Sequence, residues 1–65
     1  MVKKGQQYKH YKGSVYEVLD VAEHTETGEK FVIYFNINIP ERIWARPYEM
    51  FIENIPDGRK RFGLI

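Results

Sequence analysis

The sequence contains no cysteine, so it offers neither a disulfide nor a cysteine-ligated metal site. With 65 residues, it has material for one small hydrophobic core. A domain of this size buries only about 60% of the surface that its unfolded chain exposes, and it is marginally stable. We therefore expect a single small domain over residues 1–65 that is stabilised by packing alone.

Long apolar runs are also absent. No segment approaches the roughly 20 apolar residues that span a membrane. Lys3 and Lys4 are not followed by the apolar region of a signal peptide. We expect a cytoplasmic protein that does not bind membranes. Ten basic and nine acidic side chains give a net charge of +1, which by itself does not indicate nucleic-acid binding.

Motifs for catalysis are few. Ser14, the only serine, lies in a predicted turn without the G-x-S-x-G context of a nucleophile, and no glycine-rich phosphate loop occurs. His10 and His24, with Glu26, are the residues from which a metal site or an acid–base pair would be built, but their spacing matches no metal motif. The alternative is that each histidine makes one local hydrogen bond. We expect no cofactor, no metal and no catalytic residue, which favours a protein that is not an enzyme.

The most informative segment is a predicted β-hairpin over residues 14–39. Its strands, SVYEVLDVA and EKFVIYFNI, are rich in β-branched and aromatic residues, and they flank the turn HTETGE, in which Gly28 supplies positive φ. Thr, Glu and Gly are common in such loops, although the same loop is also suited to gripping a ligand. Alternation predicts that every second residue shares one face of its strand. These sets are Val15, Glu17, Leu19 and Val21 in the first strand, and Phe31, Ile33, Phe35, Ile37 and Ile39 in the second.

Shorter strands are predicted at residues 6–11, 43–46, 51–55 and 61–65. Pro40 should end the second hairpin strand, and Pro47 should begin one helical turn over PYEM. A helix over residues 41–53 is the alternative, although Pro47 would interrupt it. Pro56, Asp57 and Gly58 predict a turn. Together these elements predict an all-β (mainly β) fold, a small SH3-like, strongly bent five-stranded barrel with at most one short helical turn.

Several short motifs follow one another along the chain, each occurring once. They are Y-K-H-Y-K-G from Tyr8, Y-E-V from Tyr16, A-E-H-T-E-T from Ala22, V-I-Y from Val32, W-A-R-P from Trp44, then M-F and R-F. In this order and spacing they resemble a small bacterial family known as domain of unknown function 1653, over residues 8–62. The sequence departs from that pattern at Ile33 and in the segment NINIPER before the tryptophan. The resemblance implies a compact, largely β fold and no particular activity.

An aromatic surface is the strongest functional hypothesis. Trp44 and Arg46 lie on the same side of a short predicted strand. With nearby tyrosines, including Tyr11 and Tyr48, they would form an aromatic groove with a cationic rim, which small β domains use to bind peptides. We therefore predict an interaction module for a protein or peptide partner. Its candidate binding residues are Tyr8, His10, Tyr34, Trp44 and Arg46.

The competing interpretation is structural. Trp44 would then fill the core, which a small domain with one tryptophan favours, and Arg46 would pair with Glu17 or Glu49. Met50 and Phe51 are predicted to be core residues in either case.

A second functional hypothesis is single-stranded nucleic-acid binding, in which basic side chains contact phosphates and tyrosine stacks on bases. The alternative is a solvated face with a lysine-blunted edge strand. We expect a monomer, or a weak dimer in which exposed edge strands of two copies pair. The candidate nucleic-acid-binding residues are Lys9, Tyr11, Lys12, Arg59 and Arg61.

Overall fold

The computed structural model describes all residues, 1–65. It contains a single five-stranded antiparallel sheet with the strand order β4-β3-β2-β1-β5, and one short helix. The predicted all-β fold is confirmed. The elements are β1 (Gln7–His10), β2 (Val15–Glu23), β3 (Lys30–Asn36), β4 (Ile39–Pro47), α1 (Tyr48–Ile52) and β5 (Phe62–Leu64).

The sheet is not closed by hydrogen bonds, because β4 and β5 lie at its two edges and do not pair with each other. Helix α1, which follows β4, covers the inner face of the sheet instead. Phe51 of α1 stacks on Phe62 of β5 with ring centroids 4.2 Å apart. Side-chain packing therefore connects the two edges that a closed barrel would join through backbone pairing.

The core lies between the inner face of the sheet and α1. Phe51 is 1% exposed, and Tyr8, Tyr34 and Phe62 surround it at ring centroid distances of 5.2, 5.3 and 4.2 Å. Edge-to-face and stacked aromatic rings bury a large apolar area with few residues, which suits a chain this short. The buried residues are Val2, Tyr8, Val18, Val32, Tyr34, Phe51, Ile55 and Phe62.

Strand β3 alternates as predicted, and its even-numbered residues form the core. Val32 and Tyr34 are buried on the inner face, whereas Phe31, Ile33 and Phe35 are half-buried on the outer face. Ile33 and Phe35 lie opposite Ala45 and Ile43 of β4. Phe31, Ile33 and Phe35 of the predicted apolar set therefore lie on the face that α1 does not cover. The prediction that Ile37 and Ile39 continue this face is wrong, because β3 ends at Asn36, Ile37 lies in the following turn and Ile39 begins β4.

A β-bulge in β2 breaks the predicted alternation of that strand. The register shifts between Val18 and Asp20, so Leu19 is the extra residue. Val18 lies opposite Tyr34, and Val21 lies opposite Val32, so both valines face the inner side. The prediction that Val21 shares a face with Glu17, and Val18 with Asp20, is wrong for this reason.

The prediction that Pro40 ends the second hairpin strand is wrong, because that strand ends at Asn36 and Pro40 is the second residue of β4. Asn36 pairs with Ile39, and the next pair is Phe35 with Ile43, so residues 40–42 form an enlarged bulge without partners on β3. Proline has no backbone N–H to donate to a neighbouring strand. It is tolerated at position 40 because β4 is an edge strand and Pro40 has no partner on β3. The ladder resumes at Ile43, where the sequence predicted a strand.

Helix α1 occupies the predicted helical turn and extends two residues beyond it. The long helix over residues 41–53 is not formed. The strand predicted at residues 51–55 is wrong, because Phe51 and Ile52 belong to α1 and Asn54 makes only an isolated bridge with Lys60. Phe51 is a core residue as predicted, whereas Met50 is 45% exposed on the other side of the helix.

Candidate functional site

The inner face of the sheet brings all five predicted partner-binding residues to one side. Directly paired residues of antiparallel strands share a face. Tyr34 pairs with Trp44, and His10 pairs with Phe62. Arg46 pairs with the buried Val32, and Tyr8 pairs with Tyr16. We define the aromatic face as His10, Tyr16, Tyr34, Trp44 and Phe62.

Tyr8 is a core residue that, unlike the equally buried Tyr34, is not paired with Trp44. It is buried, its ring packs edge-to-face on Phe51, and its hydroxyl donates a hydrogen bond to Gln6 Oε1 at 2.7 Å. Burial and the nearby Tyr48 raise the pKa of Tyr8 above its usual value. The predicted site therefore loses this residue to the core.

Trp44 does not fill the core, so the structural interpretation of this residue is wrong. Its side chain is 46% exposed, because it lies on edge strand β4 beside the bulge and away from the centre of the sheet. It lines an open cavity of about 180 Å³. The other residues around this cavity are Tyr16, Tyr34, Asn36, Ile39 and Arg42.

Tyr34 forms the floor of this cavity. Its buried ring packs against Tyr16, Phe51 and Phe62 at centroid distances of 5.5, 5.3 and 5.7 Å. Burial raises the pKa of Tyr34, and the positive charge of Arg46 opposes that rise. Because three neighbouring rings hold Tyr34, the floor beneath Trp44 is rigid.

Arg46 lies beside the aromatic face and makes no ion pair. Its Cζ atom is 6.0 Å from the centroid of Phe62, and its Nε donates to the carbonyl oxygen of Met50 at 3.5 Å. The predicted pairing with Glu17 or Glu49 is not formed, since the only ion pairs involve Arg59 and Arg61. Glu17 lies on the outer face, opposite Phe35.

His10 continues the aromatic face towards β5. Its ring lies 5.0 Å from Phe62, and its Nδ1 accepts the backbone N–H of Lys12 at 3.1 Å, so the proton of the neutral ring is on Nε2. Burial lowers the pKa of His10 below its usual value, and the positive charges of Lys12, Arg61 and Arg46 lower it further. At neutral pH this ring is therefore an uncharged hydrogen-bond donor.

His24 makes the same local hydrogen bond as His10. Its Nδ1 accepts the backbone N–H of Glu26 at 3.1 Å, and its carbonyl oxygen accepts the N–H of Gly28 at 2.9 Å. In the first turn, the carbonyl oxygen of His10 accepts the N–H of Gly13 at 2.8 Å. Each histidine is thus the first residue of a turn that ends at a glycine. Its side chain accepts the N–H two residues further on, as the side chains of Asn and Asp commonly do in turns. No group of three His, Cys, Asp or Glu residues is placed to hold a metal ion.

The predicted nucleic-acid-binding residues are only partly brought together. Tyr11 has Lys12 Nζ and Arg59 Cζ each 5.8 Å from its ring centroid. Arg59 pairs with Asp57 at 2.7 Å, and Arg61 pairs with Glu53 at 3.5 Å. Lys9 lies on the outer face, because it pairs with Val15 and Gly63 in register with Gln7 and Glu17.

Sequence reasoning missed Tyr16, Asn36 and Arg42 as residues of the site. The inward position of Tyr16 depends on its pairing with Tyr8 of β1, which strand periodicity alone does not specify. Arg42 lies on the bulge of β4, which places it at the cavity wall. The register makes Tyr16 a neighbour of Tyr8 on the inner face, and the sequence holds no separate signal for it.

Comparisons with known proteins show one similarity. The family model described as "Protein of unknown function (DUF1653)" matches residues 6–63. No curated protein and no solved structure matches the chain. None of the structure's helices has the length and apolarity needed to cross a membrane.

Proposed function

Since the chain belongs to the family of proteins of unknown function DUF1653, whose membership specifies no activity, we propose a function from the geometry of the aromatic face. The protein is a non-enzymatic interaction module that binds an extended segment of a protein or peptide partner. Trp44 is the anchor of the site, and Tyr34, Tyr16 and His10 form the surface beside it.

The observation that carries this proposal is the position of Trp44. Its ring is half exposed beside an open cavity whose floor, Tyr34, is held by three aromatic neighbours. A large aromatic side chain on a rigid surface loses little conformational entropy on binding, and such residues often dominate binding energy. The cavity volume of about 180 Å³ is below the ~300–1,000 Å³ of a drug-sized ligand site, which favours a single side chain of a longer ligand.

The location of the cavity at a sheet edge favours an extended ligand. β4 is an edge strand, so one side of its backbone has no neighbouring strand. An extended peptide that lies along this edge gains main-chain hydrogen bonds and can place alternate side chains against the inner face. Trp44 and Arg46, two residues apart on β4, match that periodicity.

Replacement of Trp44 tests the proposal. We expect Trp44→Ala to remain folded, because the side chain is half exposed, and to lose at least about tenfold in affinity for peptides selected on the wild-type protein. Ile43→Ala is the matched control, since Ile43 is the neighbouring residue, is 63% exposed and lies on the outer face. Selection from a random peptide library, followed by titration of both variants, makes the measurement.

Two results would count against the interaction module. Equal affinity of Trp44→Ala and Ile43→Ala would show that the aromatic face does not bind the peptide. Loss of the folded state in Trp44→Ala, seen by circular dichroism, would show that the ring is structural.

Single-stranded nucleic-acid binding is the second candidate, and the two cations near the ring of Tyr11 support it. A tyrosine close to two positive charges is suited to stack on a base while the cations contact phosphates. In an amide-resolved NMR titration with a mixed-sequence oligonucleotide, this function would shift Tyr11, Lys12 and Arg59 at low salt and lose those shifts at moderate salt. A spectrum that is unchanged at low salt would eliminate this candidate.

A further inference from the structure

We propose that the ligand of the aromatic face is an acidic extended peptide, with an apolar side chain against Trp44 and Tyr34 and a carboxylate side chain on Arg46. This inference rests on the proposed function and specifies the chemistry of the partner. Arg42, at the cavity wall, provides a second cation for the same peptide.

The cations around the aromatic face are largely unpaired. Arg42, Arg46 and Lys12 form no ion pair with any carboxylate of the protein. Arg61 has a partner, Glu53, at 3.5 Å, yet its Nε is buried without a hydrogen-bond acceptor. A surface that combines exposed aromatic rings with unneutralised cations attracts a ligand of opposite charge.

Arg46 is positioned to bind a carboxylate. Its Nε donates to the carbonyl oxygen of Met50, and its Cζ atom lies over the ring of Phe62, 6.0 Å from the ring centroid. Its two terminal nitrogens have no carboxylate partner within the protein, and the hydroxyl oxygen of Tyr34 accepts a hydrogen bond from the Arg46 side chain. The guanidinium presents its remaining terminal N–H donors in the planar fork that binds carboxylates.

Two of the three carboxylates of β2 lie on the opposite face of the sheet, and the third, Glu23, is at the far end of the strand, opposite Lys30. Glu17 and Asp20 lie opposite Phe35 and Ile33, which places them on the outer face of the sheet. The bulge at Leu19 maintains this separation, because it allows Val18 and Val21 to face inwards while Asp20 stays outside. The cations beside the aromatic rings therefore remain available to an external anion.

The strand geometry gives the spacing expected in the ligand. Alternate residues of a strand lie on one face, about 7 Å apart, and Trp44 and Arg46 have this relation. A peptide that runs along β4 has the same repeat. Its acidic residue should therefore lie two positions from the apolar residue that enters the cavity.

Peptide selection with charge variants tests the inference. Wild-type protein is used to select decapeptides from a random library, and we expect enrichment of Asp or Glu two positions from an apolar residue. Arg46→Gln should weaken binding of the selected peptides by at least about tenfold, as expected for loss of a charged hydrogen-bonded pair. Arg42→Gln, on the exposed bulge where folding is not at risk, should weaken it as well.

Lys9→Gln is the matched control. It removes the same charge from the outer face, so the net charge changes equally while the aromatic face is untouched. We expect less than about a twofold change in affinity for this variant. Binding should also raise the pKa of His10 in the wild-type protein, because a bound carboxylate offsets the charges of Arg46, Arg61 and Lys12.

The outcomes separate the inference from the proposed function. Selected peptides that are neutral or basic, yet lose affinity in Trp44→Ala, would overturn the acidic ligand and leave the interaction module in place. Peptides that bind equally to wild type and Trp44→Ala would overturn both. A mixed-sequence oligonucleotide that binds more tightly than the selected peptides, with dependence on Arg46 and Trp44, would also overturn the acidic-peptide ligand.

Discussion

His10 combines a local structural role with a place on the aromatic face. Its Nδ1 accepts the backbone N–H of Lys12, and that hydrogen bond needs an unprotonated Nδ1. Burial and the surrounding cations also disfavour the charged ring. The same residue that begins a turn therefore presents an uncharged donor next to Phe62 and Tyr16.

The lowered pKa of His10 predicts a pH dependence of stability. Between its folded-state pKa and the usual unfolded value of about 6.5, the unfolded chain binds more protons than the folded protein. The contribution of His10 to the free energy of unfolding is therefore complete above about pH 6.5, and it declines as the pH falls from there towards the folded-state pKa. Urea denaturation at a series of pH values should show the free energy of unfolding decreasing on acidification.

His10→Asn is the control for this effect. The Asn side-chain oxygen can accept the same backbone N–H and does not titrate. We expect this variant to show a weaker decline in stability below about pH 6.5 than the wild-type protein. An identical decline in both proteins would show that other groups determine the acid sensitivity.

At the scale of elements, regular patterns were predictable from sequence and irregular ones were not. Alternating apolar residues predicted β2, β3 and the paired part of β4, and glycine with polar neighbours predicted the turns at Gly28 and Gly58. The bulge at Leu19 has no distinctive composition, so period-two alternation placed Val21 on the wrong face. Pro40 was read as the end of a strand because the edge position that tolerates it depends on the strand order.

The candidate site was partly predictable for the same reason. Trp44 and Arg46 were identified together because strand periodicity alone places them on one side. The exposure of Trp44 could not be predicted, since it depends on β4 being an edge strand and on α1 placing Phe51 at the centre of the core. Tyr8 and Tyr16 are both tyrosines on predicted strands and look alike in the sequence. Only the packing of α1 distinguishes the buried ring of Tyr8 from the more accessible ring of Tyr16.

The β2–β3 turn gives a prediction about backbone conformation. Gly28 has φ of +74°, which an L side chain adopts only with strain. Gly28→Ala should lower the free energy of unfolding by about 1 kcal/mol, measured by urea denaturation. Gly63→Ala is the matched control, because its φ is not positive and its added Cβ would meet only the carbonyl oxygen of Lys9 at 3.9 Å. Equal stability of the two variants would contradict this account of the turn.

At the scale of the whole molecule, the two faces of the sheet differ in chemistry. The inner face carries the core and the aromatic face, which share Tyr34 and Phe62, and the unpaired arginines lie beside them. The outer face carries half-buried Phe31, Ile33 and Phe35 together with the carboxylates of Glu17 and Asp20. An open sheet with one short helix leaves part of its inner face accessible, and a closed barrel would have enclosed that part. The binding hypothesis follows from this incomplete coverage.

The most direct test of this account is the fluorescence of Trp44, the only tryptophan in the chain. Acrylamide quenching should show a partly accessible indole in the free protein, and emission should shift to shorter wavelength with reduced quenching when an acidic peptide selected on the aromatic face is added. Emission typical of a buried indole in the free protein, or quenching that a bound peptide leaves unchanged, would contradict the claim that Trp44 anchors a ligand.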